Sequence, residues 1–423
     1  MKFILFFLLR LSKTLILGVS LFAFTQSFAQ SGCTDPQASN YNPSAIINDG
    51  SCTYAATTLS LTRLAGLDSP LLDESSGVSF FNDQLWTHVD NTENSVYQLD
   101  TVSGLSTREV TVTNTINTDW EDITEGNGYF FLGDFGNNSG DRTDLRIFRV
   151  NKDSLNQTSI SATADTILFS YPDQVDFTPN LNATRFDCEA FFYHDDSLHL
   201  FCKDWVNKRT RHYLIPAAPG NYVATLRDSF EVNGLVTSAA MANDGSIVLL
   251  GYDNVVLAPC FLWLLYDYSG RDFFSGNKRR FSLGTALNVG QVEGVCFRNN
   301  HYGYITNERF QQFVFNIDPQ LWSFDLDSFI HSFTTRIIEN PGTSNILSNG
   351  PNPFQTETVI HLPIEAGPDS DFMLFNSSGK MIRKEHVKGN EIRIKRLTLE
   401  SGIYFYRLIQ SHGTTYNGKL IVE

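Results

Sequence analysis

Basic residues, cysteine and methionine are scarce in this 423-residue chain: 31 Lys and Arg stand against 46 Asp and Glu, with 6 Cys and 4 Met. The formal charge of -15 argues against a nucleic-acid binder, because phosphate recognition rests on clustered Lys and Arg. No apolar run after Phe24 is long enough to span a bilayer; the best, Ile247 to Tyr266, is broken by Asp253 and Asn254, so the mature chain should carry no transmembrane helix. His88, His194, His199, His212 and His301 show no ligand spacing and no Ser nucleophile elbow is present, which points away from zinc and from serine hydrolysis. What the chain has is apolar and aromatic: 42% hydrophobic, 13% aromatic with 34 Phe, and 18% charged. Most of it should fold, into two or three domains.

The ends are distinct from the middle. Residues 1–29 contain Lys2, Arg10 and Lys13, an apolar run from Leu15 to Phe24, and Ser27-Phe28-Ala29 before Gln30; this reads as a secretory signal peptide. Residues 30–56 follow, with Cys33 and Cys52 bracketing turn-formers and oxygen side chains. Too few apolar residues lie there for a core, so a Cys33–Cys52 disulfide is expected to replace one, at about 3 kcal/mol through loop closure. Asp35, Asn40, Asn42, Asn48 and Asp49 are either oxygens for Ca2+ or Asx-turn residues satisfying backbone groups. The run resembles a short disulfide motif of exported Bacteroidota proteins.

Residues 341–423, which include most of a polar linker from Glu339 to Asn345, show short apolar strands separated by turns, the pattern of a small Ig-like β-sandwich. Four pieces in order carry a resemblance: Pro351-Asn352-Pro353-Phe354, Phe375-Asn376-Ser377-Ser378-Gly379-Lys380, Leu399-Glu400-Ser401-Gly402-Ile403-Tyr404, and Gly418-Lys419-Leu420-Ile421-Val422. They resemble the type A C-terminal sorting domain of the type IX secretion system. The resemblance implies that the secretion machinery is the partner of residues 345–423. It also implies that the cargo crosses the outer membrane and is secreted or attached to the cell surface.

Residues 57–340 are then the cargo. Acidic segments recur there: Asp73-Glu74-Ser75-Ser76, Asp119-Trp120-Glu121-Asp122, Asp187-Cys188-Glu189-Ala190, Val236-Thr237-Ser238-Ala239 (with Ser238 in place of the acid) and Val292-Glu293-Gly294-Val295. Each leads into an apolar strand, an Asn/Asp/Gly turn and an aromatic strand. A repeat near ~50 residues with little helical pattern means blades. The expected fold is therefore all-β: a five- or six-bladed β-propeller followed by the sandwich, with Thr58-Leu59-Ser60-Leu61-Thr62 pairing to the last blade to close the ring. The stretch around Asp119 to Arg142 is similar to secreted bacterial propellers, with phytase-like and lactonase-like propellers as more distant relatives.

In a propeller the innermost strands line one axis, so Glu74, Glu121, Glu189 and Glu293 should converge near one mouth. Crowded carboxylates require neutralisation. Two answers stand: a divalent cation, Ca2+ by ligand type, held by these four and Asp134, or pairing with Arg142, Arg185, Lys203 or Arg309. With a metal, Glu121 and Glu189 are the candidate catalytic residues of a hydrolase of phosphate esters or lactones. Without turnover, the mouth binds a glycan, peptide or small molecule, for which Trp86, Trp120, Trp205 and Tyr252 are either stacking surfaces or inter-blade packing. Cys188 and Cys202 flank one hairpin turn and are expected to form a second disulfide, with Cys260 and Cys296 as the leftover pair.

Overall fold

The computed structural model describes residues 30–155, 158–255, 257–312, 314–330, 348–377, 380–397, 399–409 and 415–423, with the side chains of 348, 363–369 and 415 excepted. The expected signal peptide lies outside them. Two compact units divide after residue 331.

The first unit is a ring of sheets. Sheet one runs Ser75–Phe81, Gln84–Val89, Ser95–Leu99, Ser106–Val112. Sheet two runs Trp120–Gly126, Tyr129–Asp134, Arg146–Asn151, Ala164–Ser170. Sheet three runs Asp187–His194, Ser197–Lys203, Thr210–Pro216, Thr225–Phe230. Sheet four runs Leu235–Met241, Ile247–Tyr252, Pro259–Tyr266, Asn277–Thr285. Sheet five runs Gln291–Phe297, Tyr302–Glu308, Gln320–Asp325 and then Thr62–Gly66 from the start of the unit. The first strand of each sheet packs on the first strand of the next, and the fifth returns to the first. This is a β-propeller whose closing sheet is built from both ends of the ring.

Local chemistry explains the hairpins. Asn82 and Asp83, Asn127 and Gly128, and Asp195 and Asp196 all hold positive φ at two-residue turns, the geometry that matches strand twist and that Asn, Asp and Gly tolerate. Between sheets one and two the buried Trp86, Trp120, Phe81 and Phe130 form one cluster, so two of the four expected stacking aromatics are packing.

One strand expectation is corrected. The ring-closing strand is Thr62–Gly66, antiparallel to Gln320–Asp325, while Thr57–Thr58 adds in parallel to sheet four. Residues 310–312 and 315–317 pair with each other as a separate hairpin.

The Cys33–Cys52 disulfide is present, and residues 30–56 dock on the ring. Asp35, 2% exposed, accepts from Tyr54 Oη at 2.7 Å and from Tyr266 Oη of sheet four. Asn42, Asn48 and Asp49 each accept the backbone N–H two residues on, and Asn40 bridges Ser51 and Thr53. The Cys188–Cys202 bridge is not formed. Register sets the two residues opposite each other, but both are free buried thiols, as are Cys260 and Cys296. Cys202 Sγ instead donates to Tyr171 Oη at 3.3 Å and Cys188 Sγ faces Ala190 O at 3.7 Å.

The second unit is one curled sheet. The long strand Glu357–Asn376 pairs with Met381–Lys395, Ser348–Gly350 and Gly402–Ile409, and the last of these with Thr415–Val422. Its core gathers Phe354, Ile360, Phe372, Leu374, Tyr404, Tyr406 and Leu420. The motif residues are its frame. Asn352 accepts Ile421 N–H at 2.7 Å and donates to Lys419 O at 2.9 Å, Tyr404 Oη donates to Glu400 O at 3.0 Å, and a Cβ at Gly418 would lie 2.3 Å from the Tyr406 ring.

Candidate axial mouth

The innermost strands share one irregularity. In each, the register against its hairpin partner slips, leaving Glu121, Glu189, Thr237 and Glu293 without a cross-strand partner, and Ser76 with Gly77 in sheet one. Such bulges re-aim a side chain at a rim or site. The repeat seen in sequence is thus a bulge repeat, with its frame adjusted: Ser76, not Glu74, and Thr237, not Ser238, stand with the three Glu. Glu74 falls two residues earlier, level with Asp119, Asp187 and Gln291. The acids form two tiers rather than one ring.

Just past the bulges the axis is laced by hydrogen bonds. Asp122, 1% exposed, accepts from Phe191 N–H at 3.1 Å and Ser238 Oγ–H at 3.1 Å, and Ser238 Oγ accepts Val295 N–H at 3.1 Å. Sheets two to five are joined by this chain. The inner strands also approach closely enough that a Cβ on Gly77 would lie 2.5 Å from Ile123 N.

At the mouth, Lys203 and Glu189 form an ion pair at 2.6 Å with both side chains under 8% exposed (6% and 7%). The ammonium lies 5.0 Å from the Trp205 ring and 5.4 Å from that of Tyr252, so these two aromatics do border the site. Burial works against the charge on Lys203, but Glu189, Tyr252, Glu293 and Asp187 together hold its pKa well above the ordinary value. Burial pushes Glu189 up despite Lys203, with Asp187 and Glu293 adding to the push. Glu121 is likewise driven well up by burial and by Glu189, Asp119 and Asp187. Glu293 is raised to about 7 by burial, against the pull of Lys203 and Gln291.

Two acids missed in sequence join them. Asp90, pushed up to about 7 by burial and by Glu74, Glu293 and Asp119, directly follows the second strand of its hairpin, and Glu308, raised well above the usual range by burial and by Glu293 and Asp90, ends the second strand of its own. The signal was available: they occupy the position of Lys203 and Tyr252 in the neighbouring sheets. Gln291 Nε2 donates to Glu293 at 2.7 Å and also to Glu308. Asp119, raised to about 6 by burial first and by Asp187, packs with Glu121 against Gly136, where a Cβ would lie 2.2 Å from Glu121 Oε1 and 2.4 Å from Asp119 Oδ2.

Asp134 is not exposed to this cluster as a free ligand. Fully buried, it is held by Arg142 at 3.0 Å and Arg146 at 2.7 Å and accepts Asp119 N–H at 3.1 Å. Arg309 pairs with Asp73 at 3.1 Å, and Arg185 forms no ion pair among the described residues. Among the described residues, no three His, Cys, Asp or Glu side chains already stand in ion-ligating geometry.

These features define a propeller with an acidic axial mouth, and its export route is read from the other unit. Residues 351–423 match the family described as the secretion system C-terminal sorting domain. The protein is therefore type IX cargo, secreted or displayed at the cell surface. No curated protein sequence matches the chain. Among solved structures it is similar to PorZ, a surface component of the type IX system of Porphyromonas gingivalis, at 13% identity and TM-score 0.30, covering 82% of this chain and 45% of that one; the chain thus spans under half of PorZ. It is also similar to an aldose sugar dehydrogenase of Streptomyces coelicolor (10% identity, TM-score 0.39, 62% and 96% covered) and a gluconolactonase of Xanthomonas campestris (10%, 0.29, 64% and 97%). Among the described residues no helix is long and apolar enough to cross a membrane.

Proposed function

We propose that the propeller is a surface-exposed binding protein whose axial mouth takes a cationic ligand, a divalent cation such as Ca2+ being the simplest. The observation that carries this reading is the imbalance of charge: Asp90, Asp119, Glu121, Glu189, Glu293 and Glu308, with the exposed Glu74 beside them, crowd a mouth where Lys203 is the one buried cation among the described residues. At neutral pH either protons or an added cation must relieve that excess. Hard oxygen donors favour Ca2+ or Mg2+ over zinc. The test is calorimetric titration of metal-stripped protein with Ca2+ and Mg2+, beside its Glu293→Gln variant. Binding lost in the variant supports the reading, and no heat with either ion rejects the divalent form of it.

A second reading, hydrolysis of phosphate esters or lactones, is favoured by one local feature. Asp119 and Glu121 sit together over Gly136, the paired-carboxyl arrangement that general acid–base chemistry uses. Turnover of such esters abolished by chelation and by Glu121→Gln would place the protein in that class. Full activity in Glu121→Gln would remove it.

A further inference from the structure

A second cavity, of about 550 Å3, lies between the loops of sheets two and three and is lined by Ser139, Gly140, Asp173, Arg185, Phe186 and Arg211, among others. Its size falls within the usual range for small-molecule sites. The walls are built before any ligand arrives: Gln174 Nε2 donates to Gly140 O at 2.9 Å, Asn180 N–H to Ser139 O at 2.9 Å and Trp205 N–H to Thr184 O at 3.1 Å.

The charges in it are sorted by partner. Arg211 holds Asp173 at 2.7 Å, donates to Tyr213 Oη at 2.9 Å and lies over the Phe186 ring at 5.5 Å. That pair is internally neutral. Asp176 is exposed and caps Thr178 N–H at 2.9 Å, a bond that lowers its pKa. Arg185 is exposed and has no hydrogen bond, ion pair or ring partner among the described residues. Arg142, Arg146, Arg209 and Arg309 in the same unit each hold a carboxylate. An unengaged guanidinium at a preformed cavity, in so acidic a chain, is a site for an oxyanion, which a planar fork binds in bidentate fashion. The remaining lining of Ser139, Thr178 and Asn180 offers hydroxyl and amide groups, the complement of a polyhydroxylated ring rather than of an apolar ligand.

We propose that this cavity binds the carboxylate or sulfate of an acidic saccharide, with Arg185 as its charged contact. The site is separate from the mouth and stands whether or not the mouth takes a cation. The experiment titrates the purified protein with a uronic-acid oligosaccharide, a sulfated one and a neutral one of equal length. At least one acidic probe should bind ten-fold or more tightly than the neutral probe, and which one identifies the oxyanion. Arg185→Ala should weaken it at least ten-fold with an unchanged melting temperature, because the side chain is exposed, and Arg185→Lys should retain part of the affinity. Glu293→Gln should leave it unaltered. Equal affinity for the neutral probe, no binding of either acidic probe at millimolar concentration, or indifference to Arg185→Ala overturns the proposal. Loss in Glu293→Gln with Arg185→Ala unaffected would move the ligand to the mouth and overturn it too.

Discussion

Glu293 offers the sharpest test of the axial electrostatics. Its carboxyl is 6% exposed and is raised from 4.5 to about 7 by burial. The folded state therefore holds this proton more tightly than the unfolded chain does. Its contribution to stability is fully present below pH ~4.5 and is lost as pH rises through ~7, a swing of roughly 3–4 kcal/mol at about 1.4 kcal/mol per pK unit. Asp90, raised to about 7, and Asp119, raised to about 6, act in the same direction. Metal-free protein should accordingly melt higher at pH 5 than at pH 8. General self-repulsion of an acidic chain also favours lower pH, so the variant isolates the local effect. Glu293→Gln keeps an acceptor for Gln291 and removes the titration; it should melt several degrees above wild type at pH 8 and match it at pH 5. Scanning calorimetry of both proteins at both values gives the answer. An equal offset between variant and wild type at the two pH values, or a wild type indifferent to pH, would refute the account of a proton-loaded mouth.

Removing the opposite charge should do the reverse. Lys203→Met leaves Glu189 buried without its partner and is expected to cost about 3–5 kcal/mol at pH 8 and less at pH 5, measured by urea unfolding. Gly136→Ala forces Asp119 and Glu121 apart while their flexible ends give way; the pH dependence of any ion binding should change, with a stability loss of about 1–3 kcal/mol. Replacing Cys33 and Cys52 by Ser should lower the stability of residues 30–56 by about 3 kcal/mol, read as faster proteolysis before Tyr54 with the ring intact. Alkylation of the denatured, unreduced protein should label Cys188, Cys202, Cys260 and Cys296; protection of the first two would restore the rejected bridge.

Much was legible from residue order. A recurring acid before an apolar strand, Asn/Asp/Gly turns and aromatic second strands announced a propeller, because hairpin chemistry is local and the repeat imposes its own symmetry. The sorting unit was legible for a similar reason: Asn352, Tyr404 and Gly418 answer to neighbours within one small sheet. What escaped was register. A one-residue slip reverses which side chains face the axis, and the bulges that set Ser76 and Thr237 beside Glu121, Glu189 and Glu293 leave no compositional mark.

Residue order alone thus determined that the middle of the chain would form a propeller and that the chain would be exported, since both follow from periodic spacing and short contiguous motifs. Tertiary structure alone decided which carboxylates share the mouth, that Asp134 is taken by two arginines while Arg185 is left free, and that Cys188 and Cys202 remain thiols. Those outcomes depend on side-chain direction and on competition among partners brought from distant strands, and neither exists until the ring has closed.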